Sequence, residues 1–185
     1  MFNALMERVR RYTDHPDPMT KIAGTVAVVV ALNQPFYPLY LHAIVGKQAW
    51  PSWLTLLTTP LFLAVPAVAK RYPLAGRAML PLVGVLNTVL CVKLIGLNTA
   101  VELFLLPCIL LAAILFRTSE RPTMIPVLLV PFAAYFLVDG RLGAPLQTFV
   151  AESYASIVAL HAVSVASLTV LIGFLFASIL SERQI

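Results

Sequence analysis

Residues 157–180 read IVALHAVSVASLTVLIGFLFASIL, a run of 24 residues without Asp, Glu, Lys, Arg or Pro. A helix of that length rises about 36 Å at about 1.5 Å per residue, enough to cross a hydrocarbon core of about 30 Å. Earlier in the chain, apolar stretches of the same kind occupy 22–45, 53–69, 77–97, 100–116 and 123–138, joined by short polar loops. Within lipid every backbone N–H and C=O must be paired inside its own segment. None of the stretches alternates with a period of two, so all six predict helices rather than barrel strands. The expected fold class is all-α, an integral membrane six-helix bundle. An amphipathic lead-in covers 1–21, one transmembrane domain covers 22–180, and a cytoplasmic helix starts over 181–185.

Composition points the same way. Hydrophobic residues make up 60% of the chain and charged residues 11%, with a mean hydropathy of +0.90, whereas about 25% of a soluble domain is charged. Cys91 and Cys108 both fall inside apolar spans and indicate no oxidising compartment. The sequence contains no glycine-rich phosphate loop, G-x-S-x-G, H-E-x-x-H or C-x-x-C. The short loops also leave no room for a soluble active site, so the chain reads as non-catalytic. No matching pair of broken helices marks two halves as inverted repeats.

Orientation follows from the loop cations. With a cytoplasmic N-terminus, Arg8, Arg10, Arg11, Lys21, Lys70, Arg71, Arg77, Arg117, Arg121 and Arg183 lie inside, and Lys47, Lys93 and Arg141 lie outside. Ten against three is a positive-inside bias that places both termini in the cytoplasm and assigns the net charge of +5 to anionic lipid rather than nucleic acid. Trp50, Trp53 and Tyr154 fall at the outer interface. Phe2, Leu5, Met6 and Val9 recur at helical spacing against Arg8, Arg10 and Arg11, which predicts a short helix lying in the inner interface. His15-Pro16-Asp17-Pro18 ends it, leaving His15 as an exposed turn residue.

Prolines divide the spans. Pro35, Pro38, Pro60, Pro66, Pro81, Pro107, Pro126 and Pro131 fall in the first five, which can bend at them, while the sixth has none and should be a straight rod. That sixth span carries Ala162 and Ala166, then Gly173 and Ala177, at the small-xxx-small spacing that lets helices approach closely, with Ser164, Ser167 and Thr169 nearby. It is expected to pack in the bundle or at a homodimer seam and to run on through Ser181-Glu182-Arg183.

Polar residues within apolar spans need partners, because each is costly in hydrocarbon. Asn33 and Gln34 near the middle of span one, and Asn87 near the middle of span three, predict a midplane hydrogen bond that ties the two helices. A second set, His42, Lys93, Glu102 and His161, shares a layer just below the outer surface, with Lys93 and Glu102 flanking one hairpin and able to pair. Three readings of this layer stay open. They are interfacial residues satisfied by water and each other, a ligand-binding pocket for a small polar molecule or proton, or an axial pair, His42 and His161, for a b-type haem. Two imidazoles and one carboxylate do not make a dedicated metal site. Residues 139–155, with Gly140, Gly143 and Pro145, form the longest outer loop, either a lid over such a pocket or simply a connection.

Asn33-Gln34-Pro35 followed by aromatics in span one, the amphipathic lead-in, and a last helix leaving through Ser181-Glu182-Arg183 resemble the membrane anchors of bacterial class III adenylate cyclases. The layout is also similar to the six-helix receptor domains of quorum-sensing histidine kinases. The resemblance implies a sensory domain in a bacterial inner membrane, dimeric through helix six. Such a domain binds a small ligand and passes the signal to a cytoplasmic output domain. A haem-b redox or electron-transfer subunit and a small transporter are the alternatives.

Overall fold

The computed structural model describes residues 2–182, with side chains described for residues 6–178. The described residues form eight α-helices: α1 (Phe2–Thr13), α2 (Pro18–Asn33), α3 (Phe36–Val45), α4 (Thr59–Arg71), α5 (Pro73–Ile95), α6 (Leu105–Ile114), α7 (Arg121–Val138) and α8 (Ala151–Glu182). The 3₁₀ segment Gly46–Thr58 joins α3 to α4, and shorter ones, Leu97–Thr99, Val101–Phe104 and Thr118–Glu120, lie around α6. No strand occurs among the described residues. The side chains of Phe2 and Leu5, and the continuation through Arg183, lie outside the described residues.

Local chemistry sets the breaks. Asp17 caps α2, accepting from the Thr20 amide, and proline opens α2, α4, α5 and α7 at the first or second helical position, where its missing N–H costs nothing. Gly46 and Gly96, at φ +60° and +84°, end α3 and α5 in a conformation that favours glycine. The first predicted span is thus two helices, because Pro35 supplies no N–H across the Asn33–Phe36 junction. The second begins inside the 3₁₀ segment rather than as an α-helix. The fourth is the shorter apolar helix Val101–Ile114.

Four helical runs, Pro18–Arg71, Pro73–Ile95, Thr118–Val138 and Ala151–Ser178, are long and apolar enough to cross a bilayer. The first doubles back on itself. Gln34 meets Thr58, Gly24 lies beside Pro66, and Lys70 Nζ donates to the Arg11 carbonyl at 3.4 Å, a pairing only antiparallel segments produce. At the turn from α4 to α5, Gly76 packs so closely on Ala69 that no Cβ fits. Further up α5, Gly84 faces the Cys108 sulfur, and Arg77 donates to the Leu115 carbonyl at 2.8 Å, so α6 runs antiparallel to α5. Tyr37 meets His161, while Ile22 and Leu175 border one small hollow with His15 and Ser178. Helix α8 therefore runs antiparallel to α2–α3, and its late turns lie beside the start of α2.

Two large apolar cores stack along the bundle, and a smaller cluster gathers Val85, Leu105, Cys108 and Ala134. One large core gathers Ile22, Val26, Phe62, Leu80, Leu111, Leu115 and Ile172. The other gathers Leu41, Cys91, Ile95, Val101, Val138 and Ile157 at the opposite end. Helix α8 joins both through a face that buries Ile157, His161, Val165 and Ile172, with the partly buried Leu160, Leu168, Leu175 and Phe176 packed beside them, and leaves Val163, Val170 and Phe174 exposed on its far side.

Candidate functional site: a cleft between the two cores

Between the cores lies a cleft of about 740 Å³, walled by α2 and α3, α5, α6 and α8. Its wall along α2–α3 runs from Val26 to Tyr40, about 20 Å at helical rise. The lining is mainly aliphatic and aromatic, with Asn33, Gln34, Asn87 and Thr88 as polar groups on one side and Ser164 and Ser167 on the other. A volume of this size, mostly apolar with few polar groups, is characteristic of small-molecule sites.

Its polar side is a three-residue junction. The Gln34 amide donates to Thr58 Oγ1 at 3.0 Å and reaches Asn87 Oδ1 at 3.3 Å, while Thr58 Oγ1 lies 2.8 Å from the same Asn87 oxygen. Gln34 and Asn87 thus meet across α2 and α5, with Thr58 as a third member that hydropathy does not single out. Asn33 lines the cleft beside them.

The outer set is dispersed. No hydrogen bond or ion pair joins any two of His42, Lys93, Glu102 and His161. Lys93 Nζ instead donates to the carbonyls of Leu142 and Ala144, both at 2.9 Å, and the amides of Leu146 and Gln147 donate to the carbonyls of Lys93 and Leu94. The anticipated Lys93–Glu102 pair is therefore replaced by a lysine that pins the 139–155 loop across the end of α5. That loop closes the bundle end and contributes no residue to the cleft lining, so it is not a lid over it. Glu102 Oε2 is buried without a partner among the described residues.

His161 is completely enclosed. Its Nδ1 lies 2.6 Å from the Thr99 carbonyl, which can only accept, so Nδ1 carries the proton and Nε2 accepts from the Tyr37 hydroxyl at 3.0 Å. Tyr37 stacks on the ring at 5.8 Å and Phe104 meets it edge-on at 5.9 Å. Both nitrogens are committed, which fastens α8 to α3 and to the α5–α6 turn. His42 follows Tyr37 by five residues, about 140° around α3, and is exposed. One imidazole is occupied and the other faces away, so the pair does not fit a bis-histidine haem.

At the opposite end an ion cluster joins three distant segments. The Arg77 side chain, only 4% exposed, makes a two-pronged contact with Glu120 at 2.5 and 2.9 Å and lies 3.8 Å from Asp17. Arg117 bonds Asp17 at 2.7 Å, and its own backbone amide donates to Glu120 at 2.7 Å. Burial alone would raise the Asp17 carboxyl. Hydrogen bonds from Thr20 and Arg117 and the attraction of Arg77 outweigh it and hold the group below its ordinary value. The Arg77 hydrogen bond lowers Glu120 against the opposing effect of burial, with Arg117 adding to it. Loop cations read only as topology signals thus form a structural clasp.

No family model, curated protein or solved structure matches this chain.

Proposed function

We propose that the chain is a six-crossing sensory domain of a bacterial inner membrane, with both termini cytoplasmic, whose cleft takes a small, largely apolar molecule. The observation that carries this reading is the cleft itself: α8 forms one of its walls, and of the helix's described side chains only Ile157, His161, Val165 and Ile172 are buried in the bundle. A molecule between α8 and the other walls changes how those residues seat, and α8 carries the change toward the chain end. In this reading the domain performs no chemistry, and an output domain such as a cyclase or kinase receives the signal. The ligand site moves from the outer layer to mid-depth, where Gln34 and Asn87 supply polar contacts. Exposed large apolar residues on every wall, among them Leu129, Phe136, Val170 and Phe174, suit a lipid surround. Ala162, Ala166, Gly173 and Ala177 all face outward, with open space at Gly173, which supports a homodimer through α8.

Thermal unfolding with dodecanol as a probe tests the cleft. A saturable rise in Tm is expected for the native chain, worth about 2.7 kcal/mol at 100-fold excess over Kd. Ser164→Phe, which puts an aromatic ring into the cleft, should weaken it. Equal shifts in both proteins contradict the reading. A transporter is the second reading, supported by the interrupted helix α2–α3 beside the cleft. Substrate flux in liposomes distinguishes it.

A further inference from the structure

Residues Gly46–Thr58 form a 3₁₀ helix of 13 residues, whereas such runs seldom pass about four because side chains three apart eclipse one another. Here eclipsing is what the sequence uses. Ala49, Ser52, Thr55 and Thr58 fall in one buried column. In an α-helix each step of three falls about 60° short of a full turn, which would spread the same four residues over about 180°. Small side chains allow this column to pack closely against α5. Its hydroxyls close it: Ser52 donates to the Ala49 carbonyl at 2.6 Å, Thr55 to Ser52 at 2.7 Å, and Thr58 to Thr55 at 2.8 Å.

The last rung is contested. Thr58 has one hydroxyl proton and two acceptors in reach, the Thr55 carbonyl at 2.8 Å and Asn87 Oδ1 at 2.8 Å, while Gln34 also approaches Asn87. Where Gln34 satisfies Asn87, the Thr58 proton is free to complete the column. The far end has room to turn: Gly46 sits at φ +60° with nothing within 4 Å of a Cβ, and Thr59 continues directly into α4.

We propose that Gly46–Thr58 is a length-changing element, a 3₁₀ helix that converts to α-helix when the Gln34–Thr58–Asn87 junction is broken. Conversion shortens 13 residues by about 6 Å and rotates Trp50 and Trp53 out of register. Gln34 lines the cleft, so the cleft wall and the outer end are mechanically joined. The element acts this way whether or not a ligand occupies the cleft.

Spin labels at Lys47→Cys and Leu63→Cys, in a Cys91→Ala/Cys108→Ala background, report the length of the intact chain in nanodiscs. Eleven 3₁₀ steps and five α steps give about 30 Å, against about 24 Å for α-helix throughout. The parent should show the longer distance, and Gln34→Leu and Thr58→Val should each populate the shorter. Fluorescence should shift in parallel, since the chain's two tryptophans, Trp50 and Trp53, both lie on this segment. An unchanged distance of about 30 Å in the folded variants overturns the proposal, as does a parent already at about 24 Å. Should Gln34→Leu fail to fold, Thr58→Val decides the matter alone.

Discussion

Arg77 shows how much one side chain holds. Removing one partner of a buried ion pair leaves the other charge uncompensated, so Arg77→Met should destabilise the protein by about 3 kcal/mol in reversible unfolding. Its carboxylate partners set the pH dependence. Asp17 and Glu120 both titrate lower in the folded chain than their ordinary values of 3.8 and 4.5. Their contribution is therefore complete above about pH 5 and lost as pH falls through the lowered folded values. The Tm should fall below about pH 4, with a shallower fall in Arg77→Met. An equal fall in both proteins refutes this assignment. At the other end, His161→Ala strands the Tyr37 hydroxyl and the Thr99 carbonyl and opens a cavity, at a cost of about 2–4 kcal/mol, whereas His42→Ala should change stability by less than about 0.5 kcal/mol. Equal effects of the two substitutions would show that His161 is not the fastening point described.

At the scale of elements, the sequence was most legible where hydropathy alone decides. The runs that became α5, α7 and α8 stand out as long apolar helices because each contains enough aliphatic residues, with α5 and α7 also opening at proline. Depth was legible as well, which is why Gln34 and Asn87 could be set at one level. What hydropathy lacks is phase. The period of three in Ala49, Ser52, Thr55 and Thr58 is present in the sequence, but averaging over a window erases it, and the segment reads as a short loop running into the start of the second span at 53. The same loss hides Tyr37, which turns toward His161, while His42, five residues on, turns away. Helix α8 shows the complementary case: its small residues at four-residue spacing are evident, and so is the outward face they occupy once the buried stripe through Ile157, His161, Val165 and Ile172 is known.

At the scale of the whole molecule, the distribution of charge explains which contacts a single sequence hides. Arg77 and Glu120 lie 43 residues apart, and each alone is an ordinary loop-end charge. Their union depends on α5, α6 and the turn to α7 having folded. The cleft is likewise a product of the assembly, since its walls come from α2 and α3, α5, α6 and α8 and no single segment announces it. Both rest on the reversal within Pro18–Arg71, which folds a 54-residue run into two antiparallel arms.

Membrane-impermeant maleimide labelling of single cysteines tests that reversal most directly, in right-side-out and inverted vesicles of a Cys91→Ala/Cys108→Ala chain. Gln48→Cys, Asn98→Cys and Gly140→Cys should react from outside, and Tyr72→Cys and Ser119→Cys from the cytoplasmic side. Labelling of Gln48→Cys and Tyr72→Cys from the same side would mean that the chain does not turn back as described, and the bundle would be wrong.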